Sequence, residues 1–504
     1  MRAYACVVML AEGGSMRFRF GTKYDHLTSD LPCKCCDPVL QTLTRRMNAD
    51  LRRRGFSVGA AAMLAGFGLA GLPSAVQAQA TPTKAVLFEN VRIFDGMSET
   101  LSNPSNVLVI GNRITSISPS PIQIPADLSV TRIAGGGRTL MPGMIDAHTH
   151  IMFATVPQLA VLTSDIGFIN VAAVKAANDT LMRGFTTIRD MGGPCFGLKR
   201  GIDAGLVPGP RIWPSGAFIS QTGGHGDFRL PIDLPARPDD FTYSERVGGS
   251  AIADDPGTVR KRAREQLALG ASQIKIMAGG GVSSAFDPLD VTQFTLEEME
   301  AGVGASENWG TYATVHAYTP KAVAQAVAAG VRCIEHGNLL DDETVALLAE
   351  KGIWWCLQPF LDDQDATPFA EGSPNRRKQL QMFSGTDAAY ALAKKHKVKT
   401  AWGTDTLFDD KAAARQGAQL TKLTRWYKPA EILKMATGDN GQLLALSGLR
   451  SPYEGKLGVV QEGALADLLL VDGDPIADIA LIEDPAKNFL VIMKDGQLNK
   501  NIAA

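Results

Sequence analysis

Met144-Ile145-Asp146-Ala147-His148-Thr149-His150 is an apolar run that closes on two histidines two residues apart. On a strand alternate side chains share a face, so His148 and His150 point the same way and can reach one metal. Beyond this stretch the same kind of run recurs. Residues 186–189, 211–214, 273–277, 312–315, 332–334, 352–356 and 400–403 are short and apolar, and helical-period segments such as 258–269, 321–329 and 341–351 lie between them. With the first run counted, about eight βα units fill about 300 residues, which predicts an α/β fold of the (β/α)8 barrel type over 140–447. An open doubly wound sheet is the weaker alternative, because no G-x-G-x-x-G follows the first strand.

Both flanks of this region are strand-like. Residues 84–139 carry short β-runs punctuated by Asp-Gly, Gly-Asn and Pro, and 448–504 echo them with Leu468 to Val471 and Phe489 to Met493 before turn dipeptides. A small composite β-sandwich drawn from 84–139 and 448–504 is expected.

The N-terminus reads differently. Arg52-Arg53-Arg54-Gly55-Phe56 precedes an almost uncharged run rich in Ala and Gly, then small-x-small sites ending at Ala78 and Ala80. That is the plan of a signal peptide over 47–80, of the twin-arginine type, so the mature protein is expected in the periplasm or outside the cell. Residues 1–46 hold four of the seven cysteines and no periodicity, and are read as a non-functional upstream extension. The whole chain carries 50 Lys and Arg against 52 Asp and Glu; without residues 1–80 the balance is 40 to 47, a net charge of −7. No basic surplus points to nucleic acid, and no membrane contact is expected after cleavage. Cys195, Cys333 and Cys356 remain, an odd number that argues against a disulfide framework.

The polar residues that end the apolar runs are the candidate chemistry. Lys275 sits inside Gln273-Ile274-Lys275-Ile276-Met277, where a bare ammonium is costly to bury. Neutralised, or converted to a carbamate by CO2, it becomes an oxygen ligand. His316, His336 and Asp405 each close a different run. Barrel enzymes draw their catalytic groups from strand ends in this way. Other polar positions have plainer readings: Arg189-Asp190 as a structural ion pair at the rim, His396 as a solvated surface residue, and Trp354-Trp355 as core, with one of the pair facing inward.

Met141-Pro142-Gly143-Met144-Ile145-Asp146-Ala147-His148-Thr149-His150, followed in order by Lys275, His316, His336 and Asp405, resembles the amidohydrolase superfamily. Thr222-Gly223-Gly224-His225-Gly226-Asp227, Lys275 to Gly281 and His316-Ala317-Tyr318-Thr319-Pro320 look like its Xaa-Pro dipeptidase and metal-dependent carboxypeptidase branch, which includes ochratoxin-degrading enzymes. The resemblance implies two divalent metals, zinc by preference. His148, His150 and Asp405 would bind the first, His316 and His336 the second, and a carboxylated Lys275 would bridge them with a hydroxide. It implies that Asp405 shuttles the proton and that His225 and Tyr318 stabilise the oxyanion. The implied substrate is a small-molecule N-acyl amino acid or dipeptide amide, and the implied assembly a homo-oligomer. A cyclic amidase of the imidazolonepropionase or hydantoinase type is the second reading, and a non-catalytic metal-binding protein the third. Phe360, Leu361 and the 221–228 loop are where specificity is expected to lie.

Overall fold

The computed structural model describes residues 84–503, except 127, 235–240 and 285, together with strands Cys6–Val8 and Arg19–Gly21. The chain divides into two units, Met1–Thr81 and Pro82–Ala504. In the first, the two short strands form an antiparallel ladder; the rest of the expected extension and signal segment lies outside the described residues.

In the second unit ten strands run parallel. They are β1 (Met144–Thr149), β2 (Phe185–Asp190), β3 (Arg211–Pro214), β4 (Phe218–Ser220), β5 (Ser250–Ile252), β6 (Ile274–Met277), β7 (Ala313–Ala317), β8 (Cys333–His336), β9 (Trp354–Leu357) and β10 (Thr400–Trp402). One sheet has the order β3-β2-β1, the other β5-β4-β6-β7-β8-β9-β10. Backbone hydrogen bonds join the two: Ser272 N–H, just before β6, donates to the Pro214 carbonyl on the edge strand β3 at 2.8 Å, and Asp405 N–H, just after the edge strand β10, to the His148 carbonyl on β1 at 2.8 Å. All of β1, β2, β6, β7, β8 and β9 is buried, as parallel strands covered on both faces must be.

The helices fall where the periodicity places them: Pro256–Leu269, Pro320–Ala328 and Asp342–Lys351. Their ends are chemically marked. Asp255 accepts the Thr258 N–H and Pro256 opens the first helix, while Gly270 stops it at φ 105°. Asp341 and Gly352 do the same for the third. Each short polar cap satisfies a backbone donor that the helix cannot, and each left-handed glycine lets the chain turn at once into the next strand.

The two flanks meet in one eight-stranded sheet. Strand Leu468–Val471, from the C-terminal flank, pairs antiparallel with Thr139–Pro142, from the N-terminal one. In strand Lys84–Ile93 the pleat divides Val86 and Phe88 from Ala85 and Leu87, which enter separate apolar clusters. Buried Arg211 on β3 ties this sheet to the parallel strands through Asp467 at 2.7 Å and Asp495 at 2.6 Å. Cys195, Cys333 and Cys356 are free and buried.

Candidate active site

The register of β6 against its neighbour sets the depth of each group. Lys275 lies level with Thr314 and Met277 with His316, so Lys275 is two residues deeper than His316 on the same face. On β8, His336 is level with Ala317. Asp405 follows β10 by three residues. Both His336 (φ 74°) and Asp405 (φ 51°) adopt the left-handed backbone region, which non-glycine residues rarely enter. The surroundings hold them there: Trp355 Nε1 donates to the His336 carbonyl at 2.7 Å, and Asp405 N–H is bound to His148.

His148, His150, His316, His336, Lys275, Asp405, His225 and Tyr318 all line one cavity. Ring centroids are 4.9 Å apart for His148 and His336, 4.6 Å for His316 and His336, and 4.1 Å for His225 and His316. Tyr318 lies 4.9 Å from His316 and 5.3 Å from His336. Residues that are 188 positions apart in sequence, His148 and His336, thus share one small volume.

Hydrogen-bond bookkeeping assigns the protons. His150 Nδ1 is 3.0 Å from the Gly192 carbonyl, and a carbonyl only accepts, so Nδ1 carries the proton. His316 Nε2 donates to the Gly280 carbonyl at 3.0 Å by the same logic. His148 Nδ1 donates to Glu335 at 2.8 Å. Gln358 turns its amide nitrogen to the Cys356 carbonyl, which leaves Oε1 to accept from His336 Nδ1 at 2.7 Å. Each neutral imidazole therefore keeps one bare nitrogen. Two of these, His148 Nε2 and His150 Nε2, stand 3.3 Å from the same oxygen of Asp405. Three lone pairs meet with no proton between them, and the buried His148 Nε2 has no hydrogen-bond partner. His148, His336 and Asp405 also place their donor atoms within 4.8 Å of one another. Such a convergence of nitrogen and oxygen donors calls for a divalent cation, and the residues present fit one.

The charges are equally particular. Burial lowers the Lys275 ammonium, and nearby Glu335 and Asp405 only partly offset it. Burial would raise Asp405, and positive charge on its imidazole side outweighs this and holds the carboxyl well below its usual range; with the rings neutral, that charge is a cation's to supply. Burial pushes His225 down to about 4, and the Tyr318 phenol well up, so one is a neutral imidazole and the other a protonated donor near neutral pH.

Glu335 is the functional residue that sequence reasoning missed. It is fully buried, takes both oxygens to Arg189 Nη2 at 2.8 Å, and accepts from His148 and from the Thr314 hydroxyl at 2.5 Å. Like Lys275, Glu335 is a charge inside an apolar strand, Cys333-Ile334-Glu335-His336. Arg189 does form an ion pair, but with Glu335 and not with Asp190, whose side chain leaves the strand on the opposite face. Asp190 instead accepts the Ile151 N–H at 2.8 Å and is raised to about 6 by burial. Trp354 and Trp355 are both buried, in different apolar clusters on the two faces of β9. His396 is not free in solvent: its Nε2 is 2.9 Å from Asp342 and its side chain is 18 % exposed.

Above the polar floor the walls are apolar. Phe153, Phe218, Phe228, Phe360, Leu361 and Phe369 line the cavity, whose volume is about 150 Å³. Phe360, Leu361 and residues of the 221–228 loop are thus where specificity was expected. The wall at 361–369 is fastened by ions, with Lys422 2.7 Å from Asp363 and 2.8 Å from Asp365, and Arg415 2.5 Å from Asp365.

A family model described as the amidohydrolase family matches residues 139–498, which takes in every residue of this floor. The chain belongs to the amidohydrolase family. Among solved structures, this amidohydrolase is 35 % identical to another amidohydrolase, with a TM-score of 0.76 over 83 % of this chain and 99 % of the other. It is 33 % identical to a prolidase solved with N-methylphosphonate-L-proline, with a TM-score of 0.75 over 83 % of this chain and all of the other. It is also 29 % identical over 426 residues to ochratoxinase of Aspergillus niger, covering 81 % of this chain and 85 % of that one.

Proposed function

We propose that this amidohydrolase cleaves the amide bond of N-acyl amino acids or dipeptides and releases a free amino acid, as a carboxypeptidase does. The observation that carries this reading is the floor just described: four imidazoles, each with one ring nitrogen tied to a protein acceptor, gathered with Lys275 and Asp405 beneath an apolar cavity. The prolidase and ochratoxinase likenesses support the linear amide as substrate class. We further read the two parallel sheets as one (β/α)8 barrel, since backbone hydrogen bonds already join them at two places, and the sheet built from both ends as a composite sandwich.

His148, His150 and Asp405 would hold one divalent ion and His316 and His336 a second, with a carboxylated Lys275 shared between them. Such ions, zinc by the donor set, would activate water at neutral pH and polarise the amide carbonyl. The chain's own residues do the rest. Asp405, kept ionised, accepts the proton of the attacking water and delivers it to the leaving nitrogen. His225 and Tyr318 donate to the oxygen on which charge develops. Lys275, its ammonium disfavoured by burial, is available as the free amine that CO2 carboxylates. Phe228, Phe360 and Leu361 receive the apolar part of the substrate and exclude water.

The test is a panel of N-acyl amino acids, X-Pro dipeptides, ochratoxin-type phenylalanine amides and cyclic amides given to the zinc-loaded protein, with products followed by mass spectrometry. A free amino acid from linear amides is the expected result. Ring opening with linear amides untouched would move the chain to the cyclic amidase reading, and no turnover by a protein holding its metals would leave only metal binding.

A further inference from the structure

His225 can donate to a developing oxyanion only if the proton of its neutral ring sits on Nε2. Its Nδ1 edge is turned to protein and faces two groups with opposite demands. Ser284 Oγ lies 2.7 Å away, and a carboxylate oxygen of Asp287 lies 3.6 Å away. Asp287 can only accept, so alone it would draw the proton to Nδ1 and leave Nε2 bare. Ser284 has one proton to give, and two places to give it: His225 Nδ1 or the Gly281 carbonyl, 3.3 Å distant.

The surrounding contacts decide between them. Lys378 Nζ donates to the Gly281 carbonyl at 2.5 Å, and also to the carbonyls of Ser284 at 2.7 Å and Asp287 at 3.2 Å. Asn375 Nδ2 holds Val282 and Ser284 in the same way, at 2.6 and 3.2 Å. The Gly281 carbonyl is thus served by a charged donor at close range and has little to gain from a hydroxyl at 3.3 Å. The Asp287 oxygen nearest the ring is already engaged by the Gly281 N–H at 2.7 Å. The Ser284 hydroxyl, 2 % exposed and cut off from water, is left to donate to His225 Nδ1.

We infer that Ser284, with Lys378 behind it, is a positioning residue that fixes His225 in its Nε2–H tautomer and so makes it a donor toward the cavity. The inference rests on the role given to His225 above. No two of these three residues are adjacent in sequence: the serine reaches the histidine from the loop after β6, and the lysine braces that loop from helix Pro374–Phe383.

The experiment is 15N spectroscopy of the histidine rings in the zinc-loaded full chain, with His225 assigned by comparison with His225→Gln, alongside kinetics on an amide substrate. The wild type is expected to show His225 protonated on Nε2. In Ser284→Ala the proton should pass to Nδ1, with kcat falling toward the roughly hundredfold loss typical of a deleted oxyanion donor and KM within about twofold. Ser284→Thr, which keeps the hydroxyl, should restore both the spectrum and kcat. Lys378→Met offers a second route, since it frees the Gly281 carbonyl to recapture the hydroxyl and should move the proton in the same direction. A wild-type ring already protonated on Nδ1 would overturn the inference. So would an alanine variant that keeps Nε2–H, or one whose tautomer changes while kcat does not. Failure of the wild type to cleave any amide would instead sink the proposed reaction, with the spectrum still reporting the tautomer.

Discussion

Glu335 is the residue whose replacement tests the floor of the site most directly. Two buried groups depend on it: the Arg189 guanidinium, whose Nη2 lies 2.8 Å from both of its oxygens, and the Nδ1–H of His148. At 2.8 Å and an effective dielectric constant of about 20, the attraction between the two charges is about 6 kcal/mol. Burial opposes it, but the ion pair wins, and Glu335 stays ionised well below the usual carboxylate range. Glu335→Gln keeps the shape and an acceptor for His148 and removes only the charge. Arg189 then remains buried with the Ala147 carbonyl and the Tyr312 hydroxyl as its partners. Stranding one member of a buried pair costs about 3–5 kcal/mol, a large part of the roughly 5–15 kcal/mol that holds an ordinary domain together. Loosening the ring of His148 should also weaken metal binding about 10- to 100-fold. Urea unfolding of the metal-free protein and chelator competition of the loaded one measure the two effects separately. The double variant Arg189→Met with Glu335→Gln removes both charges, and should be more stable than the single Glu335→Gln. A single variant within about 1 kcal/mol of wild type, or a double variant whose losses simply add, would refute the view that this pair is a mutually dependent charge beneath the site.

Gly281→Ala would place a Cβ 2.0 Å from His225 Nδ1 and Cε1, so the ring must leave its seat; kcat should fall on the order of 10²–10³-fold with KM little changed, and an unaffected kcat would remove His225 from the reaction. Lys275→Ala should reduce bound zinc from two ions to one, as counted by elemental analysis, with partial return of activity on adding short carboxylic acids; two retained metals would exclude Lys275 as a shared ligand. The wall at 361–369 should open in acid. Burial raises Asp365, but hydrogen bonds from Arg415 and Lys422 prevail and lower it below 3.8. A lowered carboxyl contributes stability that is present above its unfolded value and lost as pH falls through the folded one. Amide protection across 361–369, corrected for the pH dependence of intrinsic exchange, should therefore fall below pH 3.8 and be flat between pH 5 and 7; equal protection at pH 3 and 6 would show that the ion pairs do not hold the wall.

Much of this architecture could be read along the chain because the strands are short and apolar and several are followed by helices with marked ends. The runs at 273–277 and 332–334 became Ile274–Met277 and Cys333–His336, and helices 258–269 and 341–351 differ from Pro256–Leu269 and Asp342–Lys351 by two residues or fewer. Lys275 could be found because a charge in an apolar run contradicts its surroundings. Glu335 carries the same contradiction but stands beside a histidine, where a polar residue attracts no notice. What no local pattern can supply is partnership. Arg189 was linked to its neighbour Asp190, yet successive strand residues face opposite ways, and its true partner is 146 residues distant. Ser284 and Lys378 lie in segments whose text is that of any loop and any amphipathic helix, and their bearing on His225 exists only once the three are folded together.

The same reasoning explains why the floor is layered. A donor set of four imidazoles is useful only if each ring presents a bare nitrogen, and in a neutral ring that requires an acceptor on the other side. The chain provides four different ones: the Glu335 carboxylate, the Gly192 and Gly280 carbonyls and the Gln358 amide oxygen. Only one of the four is charged, and it serves His148, the most deeply enclosed ring. A charged acceptor makes the opposite nitrogen more basic, but a buried carboxylate needs a cation of its own, and Arg189 fills that need on the side away from the cavity. Lys275, which lines the cavity itself, could have played this part from the other side. With Arg189 already neutralising Glu335, Lys275 is released from any such duty, and burial is free to favour its uncharged amine. The ion pair beneath the site and the reactive lysine within it are therefore two consequences of one placement of charge.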